Sequence, residues 1–123
     1  AGVDSLEHGN YMDEECISML ADSQTIWVPT LVTVRNLKGC GRYADEILTP
    51  IIKSVEEKLR LAFQKKAQAA LGSDAGAYMV PHGRGILEEY ESFCRILGED
   101  PSVDSWLRQG EKAIRDRFRH LQS

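Results

Sequence analysis

Two residues in this chain combine reactive side chains with the local sequence that a site needs. Asp74 sits in Ala70-Leu71-Gly72-Ser73-Asp74-Ala75-Gly76, an apolar run followed by a glycine, a serine, one acid, a small residue and a second glycine. Small residues leave room beside the backbone and permit a sharp exit from a strand. A lone carboxylate at the end of a buried strand is costly unless something pairs with it. Asp74 is therefore either a capped structural acid or a chemical one. Leu6-Glu7-His8-Gly9 has the same shape: an apolar lead-in, an ionisable residue, a glycine. Glu7 alternates with His8, so it points to the other side of the strand, toward a structural ion pair. Further candidates lie in loops. Arg35 is suited to clamping a substrate carboxylate bidentately, or is a solvated loop charge. Tyr78, His82 and Arg84 share one loop. Thr30 reads as a strand-end hydroxyl, and His120, in a charged tail with Arg117 and Arg119, as a surface residue.

The elements that must position these residues follow from periodicity. Val3 to Glu7 is a short strand. Asp13 is an N-cap with Glu14 and Glu15 in the first turn, so Asp13 to about Ser23 is a helix. Thr25-Ile26-Trp27-Val28 is β-branched and aromatic, a strand closed by Pro29. Residues 32–46 have no clean period and form a long loop with one helical turn. Ile51, Val55, Leu59 and Phe63 recur every four residues, which gives an amphipathic helix from about Glu46 to Lys66. Ala67 to Leu71 is a third strand, and residues 75–85 a second long loop. Ile86, Tyr90, Phe93 and Leu97 mark the next helix, with Gly98 past its end. A last helix starts at Asp100-Pro101-Ser102 with an apolar face of Val103, Leu107, Gly110, Ile114 and Leu121.

The order β-α-β-loop-α-β-loop-α-α predicts an α/β fold with a parallel sheet and outer helices. All strand C-terminal ends then share one face, where sites are built in barrels and open sheets alike. That face receives His8, Thr30, Asp74 and the loops 32–46 and 75–85. Three parallel strands cannot close a barrel and leave two open edges. The architecture asks for more strands, from further sequence or from another chain.

Bulk properties narrow the function classes. The 123 residues are enough for one domain, with 42% hydrophobic and 28% charged residues. The net charge is −4 with acids and bases interleaved, so nucleic acid is not an expected partner. No apolar run approaches the roughly 20 residues of a membrane span. Three widely spaced cysteines, Cys16, Cys40 and Cys94, do not form a disulfide framework or a zinc site, and a reducing, cytoplasmic setting is expected. The chain opens without methionine, straight into a strand-like run, as a piece of a larger chain would.

Ala1-Gly2-Val3-Asp4-Ser5-Leu6-Glu7-His8-Gly9 resembles the sixth strand of the amidohydrolase superfamily, in its imidazolonepropionase-like and prolidase-like branch. Trp27-Val28-Pro29-Thr30-Leu31 resembles its seventh strand, Leu71-Gly72-Ser73-Asp74-Ala75-Gly76 its eighth, and Pro81-His82-Gly83 the loop that follows. The resemblance covers most of residues 1–97, in the family's order. It implies the C-terminal portion of a (β/α)8 TIM barrel with one or two divalent metals, zinc foremost, at the C-terminal face. It implies that Asp74 is a metal ligand and the general base, that His8 is a metal ligand or substrate contact, and that His82 belongs to the substrate loop. The implied chemistry is hydrolysis of an amide or cyclic amide C–N bond in a small peptide-like substrate by metal-activated water. The chain departs from the pattern in lacking a His-x-His pair, since its histidines are His8, His82 and His120. Zinc needs about three protein ligands even in an open site. Residues 1–123 are thus expected to be a single partial domain, active in the complete enzyme and inactive alone. The alternative is a stand-alone, non-catalytic binding or assembly module that kept barrel parts and pairs its strand edges as a homo-oligomer.

Overall fold

The structure, a computed structural model, describes residues 2–119. Its elements are β1 (Ser5–Glu7), α1 (Glu14–Ala21), β2 (Ile26–Val28), α2 (Val32–Arg35), α3 (Asp45–Gln64), α4 (Arg84–Leu97) and α5 (Pro101–Arg117). The order is the one the periodicity predicts, with one element reduced. β1 and β2 form a two-stranded parallel sheet in which Ser5, Leu6 and Glu7 face Ile26, Trp27 and Val28. The expected third strand, Ala67 to Leu71, contracts to a single parallel bridge between Trp27 and Ala69. Trp27 N–H donates to Gln68 O and Ala70 N–H donates to Trp27 O, both at 2.9 Å. The ladder goes no further. Alanines offer little side chain to pack across a pleated surface, and Gly72 offers none.

Local chemistry explains most boundaries. Asp13 caps α1, its Oδ1 accepting from the Cys16 N–H at 2.8 Å. Asp100 does the same for α5 through Ser102 N–H at 2.7 Å, with Pro101 in the first turn. The single helical turn expected in the loop 32–46 is α2. α3 begins one residue before the expected start and carries Pro50 within its length. Gly98, at φ 95°, ends α4. His120 and Leu121 lie outside the described residues.

The core gathers Ile17 from α1, Trp27 from β2, Leu59 from α3, Phe93 from α4, and Val103, Trp106 and Leu107 from α5. Trp106 meets the Phe63 ring edge-on at 5.1 Å, and its indole N–H donates to Ala67 O at 2.8 Å. It thereby ties α5 to the segment that carries the third bridge. The buried face of α4 is Gly85, Glu89, Ser92, Phe93 and Ile96. That face is rotated from the expected stripe: Ile86 and Tyr90 instead line a groove shared with Leu107 of α5.

Helix α5 packs closely at Gly110. A Cβ built there would lie 1.6 Å from Ala69 O, so α5 rests directly on the backbone of the bridged segment. Elsewhere in a helix, glycine to alanine gains about 1 kcal/mol. Here the sign inverts, because backbone must move. Gly110→Ala should lower stability by about 2–3 kcal/mol in urea unfolding; an unchanged or raised midpoint would refute this contact.

Candidate functional site

Three non-glycine residues at the ends of the three parallel segments have left-handed backbone: His8 at φ 63°, Thr30 at φ 50° and Asp74 at φ 54°. Such conformations cost about 1–3 kcal/mol each and gather where function constrains the chain. For the β-branched Thr30 the conformation is a true outlier. These are three of the residues that sequence placed on one face.

His8 is held on every side. Its N–H donates to Val28 O at 2.9 Å and its carbonyl accepts the Trp27 indole N–H at 2.8 Å. Its ring Nδ1 lies 2.6 Å from Thr30 Oγ1. The ring is otherwise exposed. Thr30 is 3% exposed, and its hydroxyl donates to Pro29 O at 2.7 Å. It is therefore more than a strand-end hydroxyl: it contacts the candidate histidine directly.

Asp74 differs from the expected buried acid. It is exposed, and among the described residues its carboxylate makes no hydrogen bond. Its carbonyl, not its side chain, closes the turn, accepting from Ala77 N–H at 3.0 Å. The cap reading of this residue thus has no hydrogen bond to support it. Close approach explains the glycines around it: a Cβ at Gly72 would fall 2.5 Å from Val28 Cγ1. At Gly76, φ 104°, a Cβ would come within 3.3 Å of His82 Nε2. His82 therefore folds back over the turn that carries Asp74.

The two loops on this face meet directly. Arg42 stacks its guanidinium on the Tyr78 ring at 4.8 Å and on Tyr43 at 5.6 Å. Asn36 donates to Met79 O at 3.0 Å and to Glu88 Oε2 at 2.9 Å. Arg84 pairs with Glu88 at 2.9 Å. Between the loops lies an open cleft of about 760 Å³ lined by Arg35, Lys38, Met79, Pro81 and Arg84, with Glu88 the only acid. Arg35 thus borders a cationic cleft, and Tyr78 is occupied by Arg42. Glu7 forms no ion pair among the described residues; it accepts from Ser5 Oγ at 2.6 Å.

The residue missed most clearly is Glu89. It is fully buried, and its two oxygens accept from Leu31 N–H and Val32 N–H, both at 2.9 Å. Burial pushes its carboxyl up to about 7 from the ordinary 4.5, against the lowering effect of those two N–H groups. Its neighbour Glu88 turns away, to Asn36 and Arg84. The available signal was position: Glu89 is four residues from both Gly85 and Phe93, in line with the buried face.

A divalent ion needs more donors than this face shows. Among the described residues no three His, Cys, Asp or Glu side chains gather to hold a metal. His8 and Asp74 offer two at most, so these residues alone do not fit a zinc site. The cysteines Cys16, Cys40 and Cys94 are free.

No family model matches the chain. Uncharacterized proteins of Mycobacterium bovis and Mycobacterium tuberculosis are 30% identical over 102 residues, covering 78% of this chain and 27% of their own length. A crystal structure of a Xaa-Pro dipeptidase with bound methionine in the active site superposes with a TM-score of 0.61 at 26% identity. The match covers 93% of this chain and 29% of that one. The chain therefore spans little more than a quarter of the length of these proteins. The structural neighbour is consistent with a hydrolase of the prolidase kind.

Glu89 gives a direct pH test. Its folded pKa lies above the unfolded value, so its contribution to stability is full below about pH 4.5 and is lost as pH rises toward 7. A shift of this size corresponds to about 3 kcal/mol. Relative to Glu89→Gln, which cannot titrate, the native chain should lose about that much stability between pH 4.5 and 7.5 in urea melts. Parallel pH profiles for the two proteins would contradict the burial of an ionisable carboxyl.

Proposed function

We propose that this chain is the C-terminal portion of a metal-dependent amidohydrolase barrel that hydrolyses an amide C–N bond in a small, dipeptide-like or cyclic amide substrate. The observation that carries this reading is the set of left-handed residues His8, Thr30 and Asp74 at the ends of three parallel segments. The likeness to a Xaa-Pro dipeptidase at 26% identity supports it, as does the short share of that protein's length that is matched. The open edges of the sheet have a natural occupant in the remaining strands of a longer barrel.

In that setting Asp74 is the general base. Its carboxylate is exposed and free of internal hydrogen bonds, so it is available to take a proton from the attacking water and return it to the leaving nitrogen. His8 presents its ring from a fixed backbone as a metal ligand or substrate contact. His82, Arg35 and Tyr78 border the substrate side, and the cationic cleft beside Arg35 and Arg84 suits a substrate carboxylate. A divalent ion, zinc foremost, is part of the reading for the longer protein. Because His8 and Asp74 do not complete its ligand set, no step is built on it, and residues 1–123 alone are expected to be inactive. The setting is cytoplasmic; no described helix is long and apolar enough to cross a membrane. Nucleic acid is not a partner in this reading.

The same open edges also fit a second reading, a non-catalytic module that pairs with a second copy of itself. The two separate cleanly. In a longer protein carrying this segment, Asp74→Asn should reduce turnover of Xaa-Pro dipeptides or cyclic amides by at least about a thousandfold while leaving the melting temperature within about 2 °C. Retained activity overturns the general-base role. A stable, metal-free dimer of the 123-residue chain supports the module instead.

A further inference from the structure

The groups around His8 determine more than its position. Thr30 has a single hydroxyl proton, and that hydroxyl donates to Pro29 O, a group that can only accept. The remaining 2.6 Å contact, between Thr30 Oγ1 and His8 Nδ1, must then be donated by the ring. The neutral imidazole is consequently protonated on Nδ1, and its Nε2 carries the lone pair. Among the described residues Nε2 has no hydrogen-bond partner, and the ring is exposed.

Thr30 can act this way only while its backbone stays in the left-handed region, at φ 50°. A β-branched residue does not hold that conformation unaided. The support comes from the far side of the corner. Leu31 N–H and Val32 N–H both end on the buried Glu89 carboxyl, which reaches them from α4, 58 and 57 residues away in sequence. Thr30 O is itself bound by Thr33, through the N–H at 3.1 Å and the hydroxyl at 2.7 Å. The peptide that follows the strained residue is thus held at both its N–H and its carbonyl.

We infer that Glu89 and Thr30 are positioning residues that select the Nδ1–H tautomer of His8 and hold its Nε2 lone pair ready for an external partner: Glu89 pins the 31–32 backbone, the pinned backbone fixes Thr30, and the Thr30 hydroxyl orients the ring. An Nε2 so presented can accept a hydrogen bond from a substrate N–H or ligate a divalent cation; a ring free to choose its tautomer would spend part of its population with that lone pair blocked. The use of this lone pair rests on the hydrolase reading, but the tautomer and its control do not. A failure of either is therefore distinguishable.

The experiment is 15N NMR of the His8 ring in the 123-residue chain, at a pH where the ring is neutral, with amide exchange measured at Leu31 and Val32. The native chain should show the Nδ1–H pattern at His8, and Thr30→Ser should keep it. Thr30→Val, which removes the acceptor, should release the ring to the Nε2–H-rich mixture of an unconstrained imidazole. Glu89→Gln sets an amide donor against one of the two N–H groups. It should loosen the tautomer toward the same mixture and speed exchange of Leu31 or Val32 by about tenfold, the loss of one hydrogen bond. Ile17→Val, which weakens the core from α1, should leave the His8 pattern unchanged, so general destabilisation is not mistaken for the effect. An Nε2–H pattern in the native chain, or a folded Glu89→Gln variant with native His8 and amide signals, overturns the inference. Should Glu89→Gln not fold, the native amides decide: Leu31 and Val32 exchanging as fast as an unstructured peptide would equally overturn it.

Discussion

Trp27 joins the three parallel segments through its own backbone and ring. Its neighbour across the sheet is Leu6 of β1. Its N–H and carbonyl bind Gln68 and Ala70 of the third segment. Its indole N–H reaches the carbonyl of His8, at the end of the first. The residue is fully buried, which shields its own side of these bonds from water. The relative height of the three strand ends, and hence the spacing of His8, Thr30 and Asp74, depends on this one side chain and its peptide groups. α5 reinforces the arrangement from the other side, through Gly110 on Ala69 and Trp106 on Ala67.

From that frame the chain turns sharply three times, at a histidine, a threonine and an aspartate, of which the β-branched threonine resists the conformation most. Left-handed backbone recurs at Lys66 and Met79, but His8, Thr30 and Asp74 carry its strain at the ends of the three parallel segments. Glycine at any of them would relieve it. What the strain achieves is orientation: a ring fixed at His8, a hydroxyl fixed beside it, and a carboxylate left in solvent at Asp74. The buried carboxyl of Glu89 stabilises the middle turn at its own desolvation cost, offset by two backbone hydrogen bonds. Thr30 and Glu89 are two of the three polar residues buried among those described, the third being Ser92 on α4.

Much of this was legible in the residues. The cap at Asp13, the helix start at Asp100-Pro101-Ser102, the four-residue period from Ile51 to Phe63 and the β-branched run at Thr25–Val28 each specify their element locally, and each element formed. Topology then brought His8, Thr30 and Asp74 to one end without any knowledge of contacts. What sequence could not supply depends on long-range partners. Glu89 reads as one acid among Glu88, Glu89 and Glu91, and only the rotation of α4 decides which of them is buried. The sequence asks for a partner at Asp74 because it places the acid at the end of a buried strand; the ladder stops at Ala69, and the acid ends in solvent. The pairing of Arg42 with Tyr78 joins two loops whose meeting has no local signature.

In the proposed reading, the arrangement is one side of a site. Two donors face outward from a sheet with open edges, and the Xaa-Pro dipeptidase that this chain resembles is more than three times as long, the match covering 29% of it. The most direct test of that account is anomalous diffraction at the zinc edge from crystals of a longer protein carrying this segment. The account predicts a peak bonded to His8 Nε2, to the Asp74 carboxylate or to both, with further ligands from outside these 123 residues. An occupied metal centre remote from both residues, or full stoichiometric zinc binding by the 123-residue chain alone, would contradict it.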